Sequence, residues 1–371
     1  MEPMFQSLNM TAQTTFAELC DQVLDADLRF SLSGLTGSFN MRAVKGKNYW
    51  YFGYRDIDGD GKMVYVGPDE PRVRSLVDRF KAEKKSSYTI SLAQAALALG
   101  CEGVLPKHFK IIKRLAEYGL FRAGGILIGT HAFTAFGNML GVRWLNGQKT
   151  MDVDFAHAGR NISVALPTNI AIDVHGALQS LEMGLLPISQ FSGKTGAQYR
   201  NPDDPELRLD FVTCEHRDEQ SLIRMPHMNF ALEPLKFMEF SLTDTTQTCV
   251  ISREGACVVN IPAPERYAIH KLIVFGERPI SERTKANKDL VQAASLISFC
   301  YRNGRSEELK TAWQDAQSRG KGWRKRIEQG WQALVVNYPD LAAVRAFLDS
   351  PDEVDEDDDD YSPDVFRIPK G

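Results

Sequence analysis

Three aspartates on strand-forming stretches constrain this chain more than any other feature. Asp152 and Asp154 lie in Thr150-Met151-Asp152-Val153-Asp154-Phe155, and Asp210 in Leu207-Arg208-Leu209-Asp210-Phe211-Val212. Side chains alternate along a strand with a period of two, so Asp152 and Asp154 share one face and the apolar residues take the other. Two adjacent carboxylates repel each other, and desolvating both is costly. A hard divalent cation removes that penalty, and Mg²⁺ is typically held by carboxylates together with substrate phosphates. Asp210 on a neighbouring strand would complete a clamp for two ions, Mg²⁺ or Mn²⁺, of the kind used in phosphoryl chemistry. Each piece also has a plainer reading: an Asp-x-Asp strand can be a solvated face, and Leu207–Val212 suits an ordinary edge strand.

The order of the pieces favours a site. Upstream, Gly124-Gly125-Ile126-Leu127-Ile128-Gly129-Thr130 reads as a buried strand at Ile126–Ile128 and a turn into a helix, Thr130–Leu140. A helix N-terminus offers backbone N–H groups and a partial positive charge to a phosphate. Gly129 permits close backbone approach, and Thr130 either bonds a phosphate oxygen or caps the helix. Farther on, Gly193-Lys194-Thr195-Gly196 forms a turn in which Lys194 either reaches a triphosphate or is a solvated loop lysine. It is not a P-loop, because the upstream glycine of that motif is missing. Pro262-Ala263-Pro264 ends a sheet and opens a helix with proline in its first turn. On that helix Tyr267 and Lys271, four apart, share a face, and His270 on the neighbouring face is structural.

In this order the pieces resemble the nucleotidyltransferase superfamily that includes DNA polymerase β, with its Gly-Ser turn, Asp-x-Asp/Glu strand and third Asp on a nearby strand. Within it, the chain most resembles a bacterial family of nucleotidyltransferase-fold proteins related to the AbiEii-type toxins. The likeness runs from about Ala123 to about Ile297. It is carried by Leu127-Ile128-Gly129-Thr130-His131-Ala132-Phe133, Asp152-Val153-Asp154-Phe155-Ala156, Gly193-Lys194-Thr195-Gly196 and Leu209-Asp210-Phe211. It continues through Pro262-Ala263-Pro264-Glu265-Arg266-Tyr267-Ala268-Ile269-His270-Lys271-Leu272 and Lys288-Asp289-Leu290. Thr130 stands where the superfamily has Ser, keeping the hydroxyl, and the 21 residues between Thr130 and Asp152 make a longer gap than usual. The resemblance implies an α+β fold. Its polymerase-β-like core is a mixed sheet flanked by helices, with an N-terminal helical and β-hairpin region and a C-terminal helical region. It also implies that Lys271 helps to hold the nucleotide; taken alone, Lys271 equally suits a surface ion pair.

With 371 residues and 43% hydrophobic content the chain can build a packed core of more than one part. Four parts are expected: 1–119, helical with a β-hairpin; 120–262, the core; 263–349, helical; and 350–371, an acidic disordered tail. In the first part a helix spans Thr11–Leu28. An aromatic hairpin pairs Lys47–Tyr54 with Lys62–Gly67, and helices follow at Pro71–Lys85, Ser91–Leu99 and Pro106–Gly119. The hairpin turn Asp56–Gly61 mimics half of an EF-hand loop, but the twelfth position is Gly67 and strands flank it, so calcium is not expected. In the core a helix is expected at Thr168–Leu186, with strands at Ile188–Phe191, Lys236–Phe240, Cys249–Ser252 and Cys257–Ile261. A long helix follows at Arg283–Tyr301. No apolar run is long enough for a membrane span, and the N-terminus lacks the pattern of a signal peptide. Six scattered cysteines without a Cys-x-x-Cys pair argue against structural zinc and suit a reducing cytoplasm.

The formal charge of −4 hides a basic body. Removing residues 351–371 takes away nine acids and two bases and leaves 42 basic against 39 acidic residues, a net +3. The acidic run 352–360 is either a solubility tail or a mimic of nucleic acid directed at this chain or a protein partner. Basic clusters at Lys107, Lys110, Lys113 and Arg114, and at Arg319–Arg326 around Trp323, suit polyanion contact or a solvated surface.

These features and the resemblance together imply transfer of NMP from an NTP to an acceptor hydroxyl. Asp152 and Asp154 would hold the ion on the triphosphate, Asp210 would join them at a second ion and serve as candidate general base, and Gly129, Thr130, Lys194 and Lys271 would contact the nucleotide. The resemblance allows an RNA 3′ end (tRNA above all), a protein hydroxyl or a small molecule as acceptor, in a toxin, defence or housekeeping setting. The basic and aromatic flanks favour nucleic acid. A fold kept only as a nucleotide-binding or regulatory module is the competing class, and the presence of all three carboxylates argues against it.

Overall fold

The computed structural model describes residues 4–32, 37–44, 47–55, 61–71, 73–74, 77, 88–146, 150–158, 172–189, 195–215, 222–225, 228–279 and 283–351. Lys194, the turn at 56–60, most of the expected helix at 71–85 and the acidic run at 352–360 lie outside the described residues. The elements begin with β1 (Phe5–Ser7), α1 (Met10–Leu32), β2 (Gly37–Val44), β3 (Lys47–Arg55), β4 (Gly61–Pro68), α2 (Tyr88–Ala98) and α3 (Pro106–Glu117). The central part comprises β5 (Gly125–Leu127), α4 (Gly129–Met139), β6 (Val142–Trp144), β7 (Asp152–His157), α5 (Val174–Gln179), β8 (Leu186–Ser189), β9 (Thr195–Asn201) and β10 (Asp204–Cys214). It continues with β11 (Ile223–Met225), β12 (Phe230–Leu235), α6 (Met238–Ser241), β13 (Thr245–Ser252) and β14 (Gly255–Pro262). The helices α7 (Pro264–Glu277), α8 (Arg283–Arg302), α9 (Ser306–Ser318) and α10 (Lys321–Asn337), a 3₁₀ turn at Pro339–Ala343 and α11 (Val344–Leu348) complete it.

The fold is α+β, a mixed sheet flanked by helices. Seven strands form the main sheet, in the order β11-β12-β10-β7-β5, with β9 on β10 and β8 on β9. The eleven-residue β10 organises it. It runs parallel to β7 over Arg208–Thr213 and parallel to β12 over its last three residues, and it pairs antiparallel with β9 along its first half. The period of two then sorts the faces. Val153, Phe155, Leu209 and Phe211 point into the main core, all at most 1% exposed, with the rings of Phe155 and Phe211 stacked 5.2 Å apart. On the opposite face Ile126, Ala156 and Val212 form a small apolar cluster with Met238 and Leu242 beyond the acidic positions.

Around this sheet, α1 and α2 pack through Phe16, Leu19, Ala93 and Ala96 on Cys249, Ile251 and Val258 of the β13–β14 hairpin. Proline opens α3, which buries His108, Phe109, Ile111, Ile112 and Leu115 at helical spacing. The expected aromatic hairpin is the β3–β4 pair, and β2 adds a third strand that its sequence did not announce.

Three expectations need correction. Lys236–Phe240 is not a strand: β12 ends at Leu235, Phe237 takes a left-handed backbone (φ +66°), and α6 follows, burying Met238 and Phe240. The start of the expected helix at Thr168–Leu186 lies outside the described residues, and from 172 onwards the helix is only the six-residue α5, capped by Asp173, which accepts from the backbone N–H of Gly176 at 2.7 Å. The following strand begins at Leu186, two residues before the expected Ile188, and pairs with β9 from Leu186 on; the expected end at 190–191 lies outside the described residues.

Among the C-terminal helices, α7 is enclosed by α8, α9 and α10. Helix α10 approaches so closely that a Cβ on Gly330 would lie 2.3 Å from the Leu272 carbonyl oxygen, and one on Gly276 would lie 2.5 Å from that of Arg326. Both contacts are with backbone, so a larger residue must push the helices apart. We expect Gly330→Ala to destabilise the protein by about 1–3 kcal/mol, the usual cost of overpacking. Thermal or urea unfolding checks this; unchanged stability would mean that the α7–α10 contact is loose.

Candidate active site

The parallel register of β7 and β10 sets Asp154 beside Asp210 and Asp152 beside Arg208. Because both strands alternate with the same period, these four side chains form a two-by-two array on one sheet face. Arg208 Nε donates to Asp210 Oδ2 at 2.9 Å and lies 3.8 Å from Asp152 Oδ1. The other Asp210 oxygen, Oδ1, is buried without a hydrogen-bond partner. Asp154 has its pKa pushed up to about 6, first by burial and then by the charges of Asp210 and Asp152. Asp210 is also raised by burial, with Arg208 opposing. Burial lowers the pKa of Arg208, but the three carboxylates outweigh it and leave it raised.

Gly129 takes a left-handed backbone (φ +64°), and a Cβ there would stand 2.1 Å from Asp154 Oδ2. Glycine therefore makes room for the carboxylate itself. Helix α4 starts at Gly129 with Ile128 as its extended N-cap and no side-chain cap bond. Thr130 is thus inside the first turn and not the cap; it is 8% exposed and lines the cleft beside the acids.

Across a cleft of about 540 Å³ stands a cationic wall. Lys271 on α7 donates to Asp289 of α8 at 2.8 Å, and Arg278 Nε donates to the other Asp289 oxygen at 2.6 Å. Lys271 is an ion-pair partner, as one expectation had it, but the pair is inside the cleft, its side chains 14% and 3% exposed. Burial alone would lower the pKa of Lys271, yet Asp289 holds it raised. Lys285 and Lys288 extend the wall. Lys288 is lowered by burial and by Lys271. The Tyr267 hydroxyl donates to the Gly129 carbonyl at 2.8 Å and lies 2.8 Å from the side-chain oxygen of Gln292, while Lys271 Nζ sits 5.1 Å from the Tyr267 ring centre. That tyrosine ties the cationic helix to the glycine turn. His270 lines the cleft and is held neutral by burial, its pKa pushed down to about 3.

Of the residues expected from sequence, Gly129, Thr130, Asp152, Asp154, Asp210 and Lys271 all line this one cleft. Lys194 lies outside the described residues. Arg208, Arg278, Lys285, Lys288, Asp289 and Glu233 were not assigned to the site, although they line it too. Arg208 was within reach, two positions before Asp210 on a strand; Arg278 and Lys285 carry no local signal.

Three hard oxygen donors, an orphaned buried oxygen on Asp210 and, at Asp154, a carboxylate raised by burial and then by its acidic neighbours are a donor set that fits a hard divalent cation. Among the described residues no ready-made metal-binding cluster of three His, Cys, Asp or Glu is present, and Arg208 stands between Asp152 and Asp210.

A mixed sheet with a glycine turn, an Asp-x-Asp strand and a parallel strand bearing a third aspartate is the architecture of a nucleotidyltransferase. Residues 107–318, more than half of the chain, match the family model described as nucleotidyltransferase, and the chain belongs to that family. It is an enzyme of the nucleotidyltransferase class, with an NTP as substrate. Among solved structures it is similar to an antigenic nucleotidyltransferase-like protein from Paracoccidioides brasiliensis, with 17% identity and a TM-score of 0.34, over 66% of this chain and 94% of that one. No curated protein matches the chain.

The raised pKa of Asp154 has a thermodynamic consequence. The folded protein holds this proton up to about pH 6, whereas the unfolded chain releases it near 3.8, the ordinary value for an aspartate. Stability from this group is fully present below the unfolded value and is lost as pH rises through 6. In EDTA, Asp154→Asn is therefore expected to melt higher than the parent at pH 7.5, with the gain shrinking as pH falls towards 4. Calorimetry across that range is the check, and equal Tm values at pH 7.5 would contradict it.

Proposed function

We propose that this nucleotidyltransferase is metal-dependent, of the polymerase-β-like and AbiEii-toxin-related type, and that it moves NMP from an NTP to a hydroxyl of RNA, at a 3′ end. The observation that carries the reading is the array of Asp152, Asp154, Arg208 and Asp210 facing the cationic wall of α7 and α8. Asp152, Asp154 and Asp210 would hold two Mg²⁺ or Mn²⁺ ions. When bound, these would neutralise phosphate charge and lower the pKa of the acceptor hydroxyl.

The chain's own groups divide the remaining work. The N–H groups at the start of α4 and the Thr130 hydroxyl bind phosphate oxygens. Lys271, Arg278, Lys285 and Lys288 receive the charge of the triphosphate, and Asp289 keeps two of them oriented while the cleft is empty of anions. Asp210 takes the acceptor proton, its raised pKa bringing it nearer to neutrality than an ordinary carboxylate. Attack on the α-phosphate then releases pyrophosphate. In this division, residues 120–262 form the part that supplies the carboxylates and 263–349 the part that supplies the cations.

Support for RNA rests on the surface. Lys110 and Lys113 on α3, and Lys321, Arg324 and Lys325 at the start of α10, offer charge to phosphates. The clusters are weaker than their composition suggests, since Lys107 pairs with Asp204, Arg114 with Glu117, Arg319 with Asp315 and Arg326 with Glu277.

The experiment is incubation with total RNA, Mg²⁺ or Mn²⁺ and each NTP labelled at the α- or γ-phosphate. We expect α-label alone to enter an RNase-sensitive band; a protease-sensitive band would overturn the RNA acceptor, and no transfer from any NTP would overturn the reaction. Asp152→Ala, Asp154→Ala and Asp210→Ala should each abolish transfer, and more than a few per cent of residual activity contradicts that residue's role. Thr130→Ala should weaken NTP binding by about 1–2 kcal/mol, the worth of one hydrogen bond to a charged group, with Thr130→Ser near neutral. Equal affinity in the alanine variant would leave Thr130 without a phosphate role.

A further inference from the structure

We propose that Arg208 is the built-in counter-ion of the carboxylate array and competes with the divalent cation for Asp210 and Asp152, so that cation binding and withdrawal of the guanidinium are one coupled event. The inference rests on the metal reading above. It starts from the strand register: Arg208 is directly opposite Asp152 and two positions before Asp210, so it shares the face that carries all three acids. Its Nε bonds Asp210 at 2.9 Å and lies 3.8 Å from Asp152. It therefore lies between two of the carboxylates that a cation would need, and it leaves an array of three acids and one base.

A guanidinium cannot be deprotonated to make way. Only movement removes its charge, and its side chain, 27% exposed, is not sealed in the core. Asp210 is also incompletely served by this partner, because its Oδ1 remains buried and unbonded. A cation that reaches both oxygens would satisfy what one N–H cannot. In the cation-free protein the arginine reduces the mutual repulsion of the acids, and for the same reason it weakens their affinity for metal. Arg208 is thus a positioning residue for Asp210 and a competitor for its ligand.

The test is Mn²⁺ binding to the nucleotide-free, full-length protein, read from the electron paramagnetic resonance signal of free Mn²⁺. Parent, Arg208→Met, Arg208→Lys and Asp210→Asn are compared, with thermal unfolding as the check on folding. Removing a competing positive charge at this distance should tighten Mn²⁺ binding about tenfold or more in Arg208→Met. Arg208→Lys should bind a few-fold tighter than the parent, because a flexible ammonium is less firmly held between the two carboxylates than the planar guanidinium whose Nε lies near both. Asp210→Asn should bind more weakly. Unchanged or weaker binding in Arg208→Met, with Asp210→Asn still impaired, overturns the competition and leaves the metal reading intact. Absence of saturable Mn²⁺ binding in all four overturns both. Should Arg208→Met not fold, Arg208→Lys decides: tighter binding than the parent supports the competition, and equal or weaker binding overturns it.

Discussion

The parallel pairing of β7 with β10 is the constraint on which the rest of the site depends. One register brings Asp210 level with Asp154 and Arg208 level with Asp152. A slip of β10 by one residue would turn Asp210 and Arg208 into the core and Leu209 and Phe211 outwards. The apolar face prevents that slip, since Val153, Phe155, Leu209 and Phe211 are all locked in the main core. The same interdigitation that stabilises the sheet therefore holds like charges together against their repulsion. The cost appears in Asp154, whose acidity is weakened by burial and by its two neighbours.

Around that array the structure supplies compensations at close range. Glycine at position 129 leaves room for the Asp154 carboxylate, and Tyr267 fixes the glycine turn to α7 through the Gly129 carbonyl. Helix α7 is in turn held by its close backbone contact with α10. Lys271 and Arg278 share Asp289, so the wall facing the acids is itself neutralised in part and oriented. A cleft with acids on its sheet side and organised cations on its helix side suits a ligand that carries both phosphates and divalent ions.

Much of this was legible in local pattern. Alternation placed Asp152 and Asp154 together, helical spacing marked α3, and proline marked the start of α7. The residues that escaped share a dependence on tertiary contact. Asp289 reads as one acid in a helix until α7 brings Lys271 against it. Arg208 stands visibly two positions before Asp210, but its relation to Asp152 exists only once the strands are paired. Gly129 was expected to admit a phosphate, whereas its nearest constraint is a carboxylate from another strand. The apolar run at Lys236–Phe240 misled because the left-handed backbone at Phe237 has no signature in a non-glycine residue. The basic clusters misled in degree: Asp204 and Glu277, which pair with Lys107 and Arg326, are distant in sequence, while Glu117 and Asp315 were within one helical turn of Arg114 and Arg319.

The proposed reaction requires cations at the β7–β10 array, facing a triphosphate. Anomalous diffraction from crystals grown with Mn²⁺ and a non-hydrolysable α,β-imido NTP tests it most directly. Mn²⁺ peaks are expected within bonding distance of Asp152, Asp154 and Asp210, with the triphosphate between them and the cations of α7 and α8. Nucleotide bound without Mn²⁺ at these carboxylates, or bound away from this cleft, would contradict it.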